Sequence, residues 1–91
     1  MLNNELRKSL KRRAHSLKPV VIVGQHGVTE NVMLELDRAL ADHELVKVRL
    51  RGIERDERRS EIDALCENLA CELVMSIGAV AVFYRENPDR Q

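Results

Sequence analysis

Residues 20–32 read VVIVGQHGVTENV, an apolar run, then two glycines three apart, then the start of a helix-like pattern. Val20–Val23 is apolar at every position, as expected of a central strand covered on both faces. Pro19 closes what precedes and opens the strand. After the glycines, Thr29 has the chemistry of an N-cap, because its side-chain oxygen can accept a backbone N–H of the next turn. Val28, Val32, Met33, Leu36, Ala39 and Leu40 then share one helical face to about residue 42, with Leu34 outside it. A strand, a glycine turn and an amphipathic helix make the first half of a β-α-β unit, and this decides for an α/β fold.

Working outward, LVKVRLR at 45–51 alternates, with Val46, Val48 and Leu50 pointing one way and Lys47, Arg49 and Arg51 the other. The pattern predicts a strand with one buried and one cationic face, serving either to discourage edge pairing or to face phosphate. Gly52–Ser60, GIERDERRS, reads as a charged loop. Ile62, Leu65, Cys66, Leu69 and Leu73 then stripe a helix whose outer face carries Asp63 and Glu67. Two apolar runs flank Gly78 and predict strands joined by a tight turn, and RENPDRQ after Tyr84 reads as a frayed tail over 85–91.

Ahead of the opening stretch, about 3–16 is helical. Leu6, Leu10, Ala14 and Leu17 form its apolar stripe, while Lys8, Lys11, Arg12 and His15 fall opposite at i, i+3, i+4, i+7. The order is a helix followed by β-α-β-α-β-β. This is an α/β fold with a four-stranded mixed sheet and three helices, in a single domain over 1–91. The two crossovers favour parallel pairing, and the last two strands should pair antiparallel.

Composition narrows the class. With 44% apolar and 33% charged residues, the chain reads as globular. No apolar run nears the roughly 18–20 residues of a bilayer span, and the N-terminal residues lack a signal-peptide core, so a cytoplasmic location is expected. Cys66 and Cys71 match neither a redox C-x-x-C nor a zinc knuckle. On a continuous helix they would lie about 140° apart, which predicts structural thiols that share neither a metal nor a disulfide. Net charge is zero, but unevenly spread. Residues 1–18 hold six basic groups against Glu5 and carry +5, while the rest carries −5. Such asymmetry can create a local anion-binding field inside a neutral molecule.

Enzyme constellations come up short. No serine sits in a G-x-S-x-G elbow, no phosphate-loop or dinucleotide fingerprint occurs, and His15, His26 and His43 lack metal-ligand spacing with the cysteines. No enzymatic activity, cofactor or metal is expected. The G-x-x-G loop, Gly24-Gln25-His26-Gly27, stands in a more telling context between strand and helix. It is either a tight turn or a clamp in which a phosphodiester approaches peptide N–H groups and the positive helix end near Thr29, as in KH domains. Lys18 at the start of the strand would add charge. Phe83 and Tyr84 are the only aromatics and fall in a core strand, so a base-stacking platform is absent. A nucleic acid would be held by backbone shape and charge.

The run LKPVVIVGQHGVTENVMLELDRALADHELVKVRL, with IGAVAVFYR later, resembles the CRM domain (chloroplast RNA splicing and ribosome maturation), and most closely its stand-alone bacterial YhbY-like branch. The specific elements are Leu17-Lys18-Pro19, the G-x-x-G loop, Thr29-Glu30, and His43-Glu44-Leu45 with Lys47. The resemblance implies a fold similar to the C-terminal domain of translation initiation factor three. It implies RNA binding through Gly24, Gln25, His26 and Gly27, and association with precursors of the large ribosomal subunit. Family members often carry a basic residue where this chain has Ala79, so no contact is assigned there.

The expectation is a non-catalytic module for structured ribosomal RNA or a pre-ribosomal particle. Its contacts would be Gly24, Gln25, His26, Gly27, Lys18, Thr29, Lys8, Lys11, Arg12, Lys47, Arg49 and Arg51. The rival is an adaptor for ribosomal or regulatory proteins, with the loop only a turn.

Overall fold

The computed structural model describes residues 2–88. Helix α1 (Asn4–Ala14) starts where the Asn3 side chain accepts the Leu6 N–H at 2.7 Å. Glu5 in its first turn and Lys11, Arg12 and Arg13 in its last suit the helix dipole. The chain continues through β1 (Val21–Val23), α2 (Glu30–His43), β2 (Leu45–Leu50), α3 (Arg55–Leu69), β3 (Glu72–Ile77) and β4 (Val80–Tyr84). The expected order of three helices and four strands is the observed one.

The sheet runs β1-β2-β4-β3. Strands β1 and β2 are parallel, with Val21 opposite Val48 and Val23 opposite Leu50. Strand β4 is antiparallel to both neighbours, so β3 shares the direction of β2, as a crossover requires, but is separated from it by β4. Helices α2 and α3 cover one face through Leu36, Leu40, Ile62, Leu65 and Leu69, which pack on Val21, Val23, Val46, Val48, Leu50 and Phe83. Helix α1 covers part of the other face, where Leu10 and Ala14 meet Leu45, Val74 and Val82.

Several local expectations are revised. Strand β1 is an edge strand, not a central one, and it alternates: Val21 and Val23 are buried, while Val20 and Ile22 are 55% and 53% exposed. Helix α1 does not reach across to cover them. Helix α3 begins at Arg55, so most of the expected loop over Gly52–Ser60 is helical. Leu73 belongs to β3 and not to the stripe of α3.

At the start of β3, Leu73 faces Phe83 and Met75 faces Val82, which leaves Val74 as the extra residue of a bulge. The Arg7 guanidinium donates to the Leu73 and Val74 carbonyls at 2.9 Å each, satisfying groups that the broken ladder leaves over. Residues 85–88 do not fray. The Arg85 N–H donates to the Glu44 carbonyl, the Asn87 N–H to a Glu44 carboxylate oxygen, and the Asn87 amide to the Ala41 carbonyl. Residues 89–91 of the expected frayed tail lie outside the described residues.

The cysteines differ from the helical-wheel expectation because α3 ends at Leu69, so Cys71 turns back toward Cys66. The two thiols interact, lowering the Cys66 pKa, while that hydrogen bond and burial push the Cys71 thiol up. Both are free thiols.

Candidate nucleic-acid interface

The carboxyl ends of β1 and β2 and the N-termini of α2 and α3 gather at one end of the sheet, where open α/β sheets commonly bind ligands. Three connections meet there. The Gly24–Gly27 turn is closed by the Gly27 N–H donating to the Gly24 carbonyl at 2.9 Å. The Arg51 N–H donates to the Val23 carbonyl at 2.8 Å, which pins the turn after β2 beside the loop. The Leu50 N–H donates to the Ala79 carbonyl and ties in the β3–β4 hairpin.

The two loop glycines differ. Gly27 has φ +77°, and a Cβ there would stand 2.8 Å from Glu61 Oε1. That carboxylate, reaching over from α3, accepts the Val28 N–H at 3.1 Å. Glycine is therefore favoured at 27 by the fold itself, through the positive φ and the Glu61 carboxylate. Gly24 has no left-handed φ, and a Cβ on it would meet nothing within 4 Å. The protein has room for a side chain at 24.

Loop N–H groups are also divided. Those of Gly27 and Val28 are taken, and Thr29 Oγ1 accepts the Val32 N–H at 3.2 Å, so the expected N-cap is present. Among the described residues, the Gln25 and His26 N–H groups have no partner, and both side chains are exposed. Glu61 places a negative charge at the junction of loop and α2. The exposed Gln25-His26 tip offers an anion two unpartnered N–H groups.

The remaining expected contacts separate into groups. Arg51 is exposed beside the loop. Lys18 lies at the opposite end of β1, six residues from Gly24, about 20 Å at strand rise, and cannot share its phosphate. It lines a groove with Arg13, His43 and Lys47. Lys8, Lys11 and Arg12 are exposed along the outer side of α1.

Lys47 and Arg49 point to the sheet face that α1 leaves partly bare. Cross-strand register puts Ile22, Arg49, Val80 and Ile77 in one row, with Ile77 66% exposed, so the cationic strand face is open and largely apolar. Phe83 is fully buried and Tyr84 packs beside α1, so neither aromatic offers a stacking surface.

Arg55, Arg58 and Arg59 were not among the expected contacts. They lie in the first two turns of α3 at i, i+3, i+4 spacing, a signal visible in GIERDERRS once the segment is read as helix. Among the described residues, no three His, Cys, Asp or Glu side chains gather to hold a metal, and no helix is long and apolar enough to cross a membrane.

Residues 2–85 match the model of the CRS1/YhbY (CRM) domain. The chain belongs to the CRS1/YhbY (CRM) family. It is 52% identical over 87 residues to a probable RNA-binding protein of Pseudomonas aeruginosa, covering 96% of this chain and 84% of the relative. It is 36% identical over 88 residues to an RNA-binding protein of Haemophilus influenzae, covering 97% and 89%. The solution structure of a hypothetical Staphylococcus aureus protein, described as a candidate RNA binder, superposes with TM-score 0.86 at 31% identity, covering 100% and 95%. The CRM fold has the helix-first order and mixed sheet expected from the sequence.

Proposed function

We propose that this CRM protein is a non-catalytic module that holds the backbone of structured RNA. The RNA would be ribosomal, met on precursors of the large subunit. The names of its relatives support RNA as partner, and the ribosomal destination rests on the family resemblance. One observation carries the contact site. Gly24 is a glycine that the protein's own packing does not require, beside two unpartnered N–H groups at an exposed tip. A bare Cα at 24 lets a phosphodiester come against the peptide plane, which a side chain would prevent. Lys8, Lys11, Arg12 and Arg51 supply longer-range attraction, and Lys47 and Arg49 extend the footprint over the open sheet face.

If about four phosphates are neutralised, log K falls against log salt with a slope of roughly −3 to −4. Anisotropy of a fluorescein-labelled RNA hairpin across a salt series measures it, and a flat profile refutes the electrostatic account. Replacing Gln25 and His26 by aspartate should abolish binding. The adaptor reading draws on exposed Val20, Ile22 and Ile77 around Lys47 and Arg49, a surface suited to protein contact. On that reading the aspartate variant keeps whatever RNA affinity the protein has.

A further inference from the structure

We infer a second RNA contact on the same end of the sheet, in which Arg55, Arg58 and Arg59 take backbone phosphates in a groove between α3 and the β3–β4 hairpin. This rests on the RNA-binding reading above and adds to it a site away from the G-x-x-G loop. Helical spacing puts the three guanidiniums on one side of α3, where they line a groove floored by Ile62 and walled by Ser76 and Gly78. Asp56 and Asp63 share the groove's lining, so cations outnumber anions three to two.

The fold gains little from cations there. The first turns of a helix carry the positive end of its dipole and favour acids, as Asp56 and Glu57 show. The N-cap of α3, Glu54, makes no side-chain cap bond that would offset them. Among the described residues, Arg55, Arg58 and Arg59 have neither an ion pair nor a side-chain hydrogen bond. Three unpaired guanidiniums within two turns repel one another and the helix end. A polyanion reverses the sign of all these interactions, and the guanidinium fork suits phosphate oxygens.

Position joins the groove to the loop. Strands β1 and β3 are the two edges of the sheet, three inter-strand spacings or about 14 Å apart. Between them, Gly52 in the turn after β2 packs against Gln25, where an added Cβ would lie 3.3 Å from the Gln25 Cβ. Arg51 stands beside it. Glu61, on α3, sets a carboxylate against the Val28 N–H at the start of α2, which disfavours phosphate at that point. A backbone seated on the Gln25-His26 tip is thereby steered over the β2–α3 turn toward the arginines.

The test uses the full chain and the same fluorescein-labelled RNA hairpin, with salt series for three variants. Arg55→Gln/Arg58→Gln/Arg59→Gln should lower affinity roughly 10- to 100-fold at low salt and flatten the log–log slope by about 2 to 3. Its melting temperature should be unchanged or higher, since the helix end loses a conflict. Arg59→Gln alone should flatten the slope by about 1, and this variant decides if the triple variant folds poorly. Arg38→Gln, an exposed cation on α2, should leave both quantities at wild type. Wild-type affinity and slope in the arginine variants, with binding lost in Gln25→Asp/His26→Asp, overturns the second contact and leaves the loop reading standing. Wild-type behaviour in both sets overturns both. Loss in the arginine variants alone keeps the groove and removes the loop.

Discussion

The two ends of the sheet use the same residue types to opposite effect. At the end where β2 and β3 begin, two arginines are consumed by the fold, while Arg13 and Lys18 stay exposed along a groove. Arg7 holds two carbonyls of the β3 bulge, and Arg85 donates to the Asp37 carboxylate at 2.7 Å and to the Leu69 and Asp37 carbonyls at 3.0 Å. At the opposite end, Arg51, Arg55, Arg58 and Arg59 make no side-chain bond to another described residue. The difference teaches that a net charge of zero says little about RNA affinity. What matters is how many cations remain after the backbone has taken its share, and where they stand.

Removing a consumed cation is the strongest way to break this contrast. Arg85→Ala leaves the half-buried Leu69 carbonyl and the end of α3 without a donor, and frees the Asp37 carboxylate. The expected cost is about 2–3 kcal/mol, read by urea denaturation, with RNA affinity per folded molecule unchanged. Arg59→Gln at the other end should do the reverse. If Arg59→Gln destabilises as much as Arg85→Ala, the division between structural and available arginines is wrong.

The two glycines sharpen the same division within one loop. Gly27→Ala must hold a side chain at φ +77° and push Glu61 off the Val28 N–H, costing about 1–2 kcal/mol, or roughly 5–10 °C in melting temperature. Gly24→Ala should fold as well as wild type, within about 0.5 kcal/mol, yet bind RNA more weakly. Equal thermal stability of the two variants contradicts the assignment of Gly27 to the fold and Gly24 to the ligand.

How much of this was legible follows from the range of each interaction. Spacing of apolar residues along α1, α2 and β2 reported burial correctly, because periodicity is local. Thr29 was legible as a cap for the same reason. The edge position of β1 was not, since VVIV does not report whether a strand pairs on both sides, nor was its bare face, since the run looks identical whether α1 covers it or stops short at Ala14. The start of α3 was hidden because Arg and Glu are good helix formers with no apolar stripe to betray them before Ile62. The unequal glycines were beyond reach, because the carboxylate that distinguishes them lies 33 residues away from its N–H partner.

The base of the sheet also fixes a pH dependence. The Cys71 thiol is raised by the hydrogen bond it donates to Cys66 and by burial, so the folded state holds its proton more tightly than the unfolded chain. That contribution is complete below the unfolded thiol pKa of about 8.5 and declines as pH rises above it, by up to about 1.4 kcal/mol per unit. Denaturation midpoints at about pH 7 and about pH 9.5, on either side of that pKa, should therefore differ more in the wild type than in Cys71→Ala. Iodoacetamide should label Cys66, whose pKa is lowered, before Cys71.

The smallest expected effect is a gain, at the C-terminal end of α3. Ala70 ends α3 in the left-handed region at φ 51°, with its N–H donating to the Cys66 carbonyl. A Cβ is disfavoured there, and glycine is the usual residue at such a helix end. Ala70→Gly should stabilise the protein by about 0.5–1 kcal/mol, because relief of the left-handed strain exceeds the extra entropy of the unfolded chain. The residue is exposed and far from the loop end, so RNA affinity and its salt slope should not move. Thermal melting reads the first and the hairpin titration the second. A gain in stability accompanied by altered RNA binding would mean that the two ends of the sheet are coupled through α3, along the Glu61–Val28 bond that ties that helix to the loop.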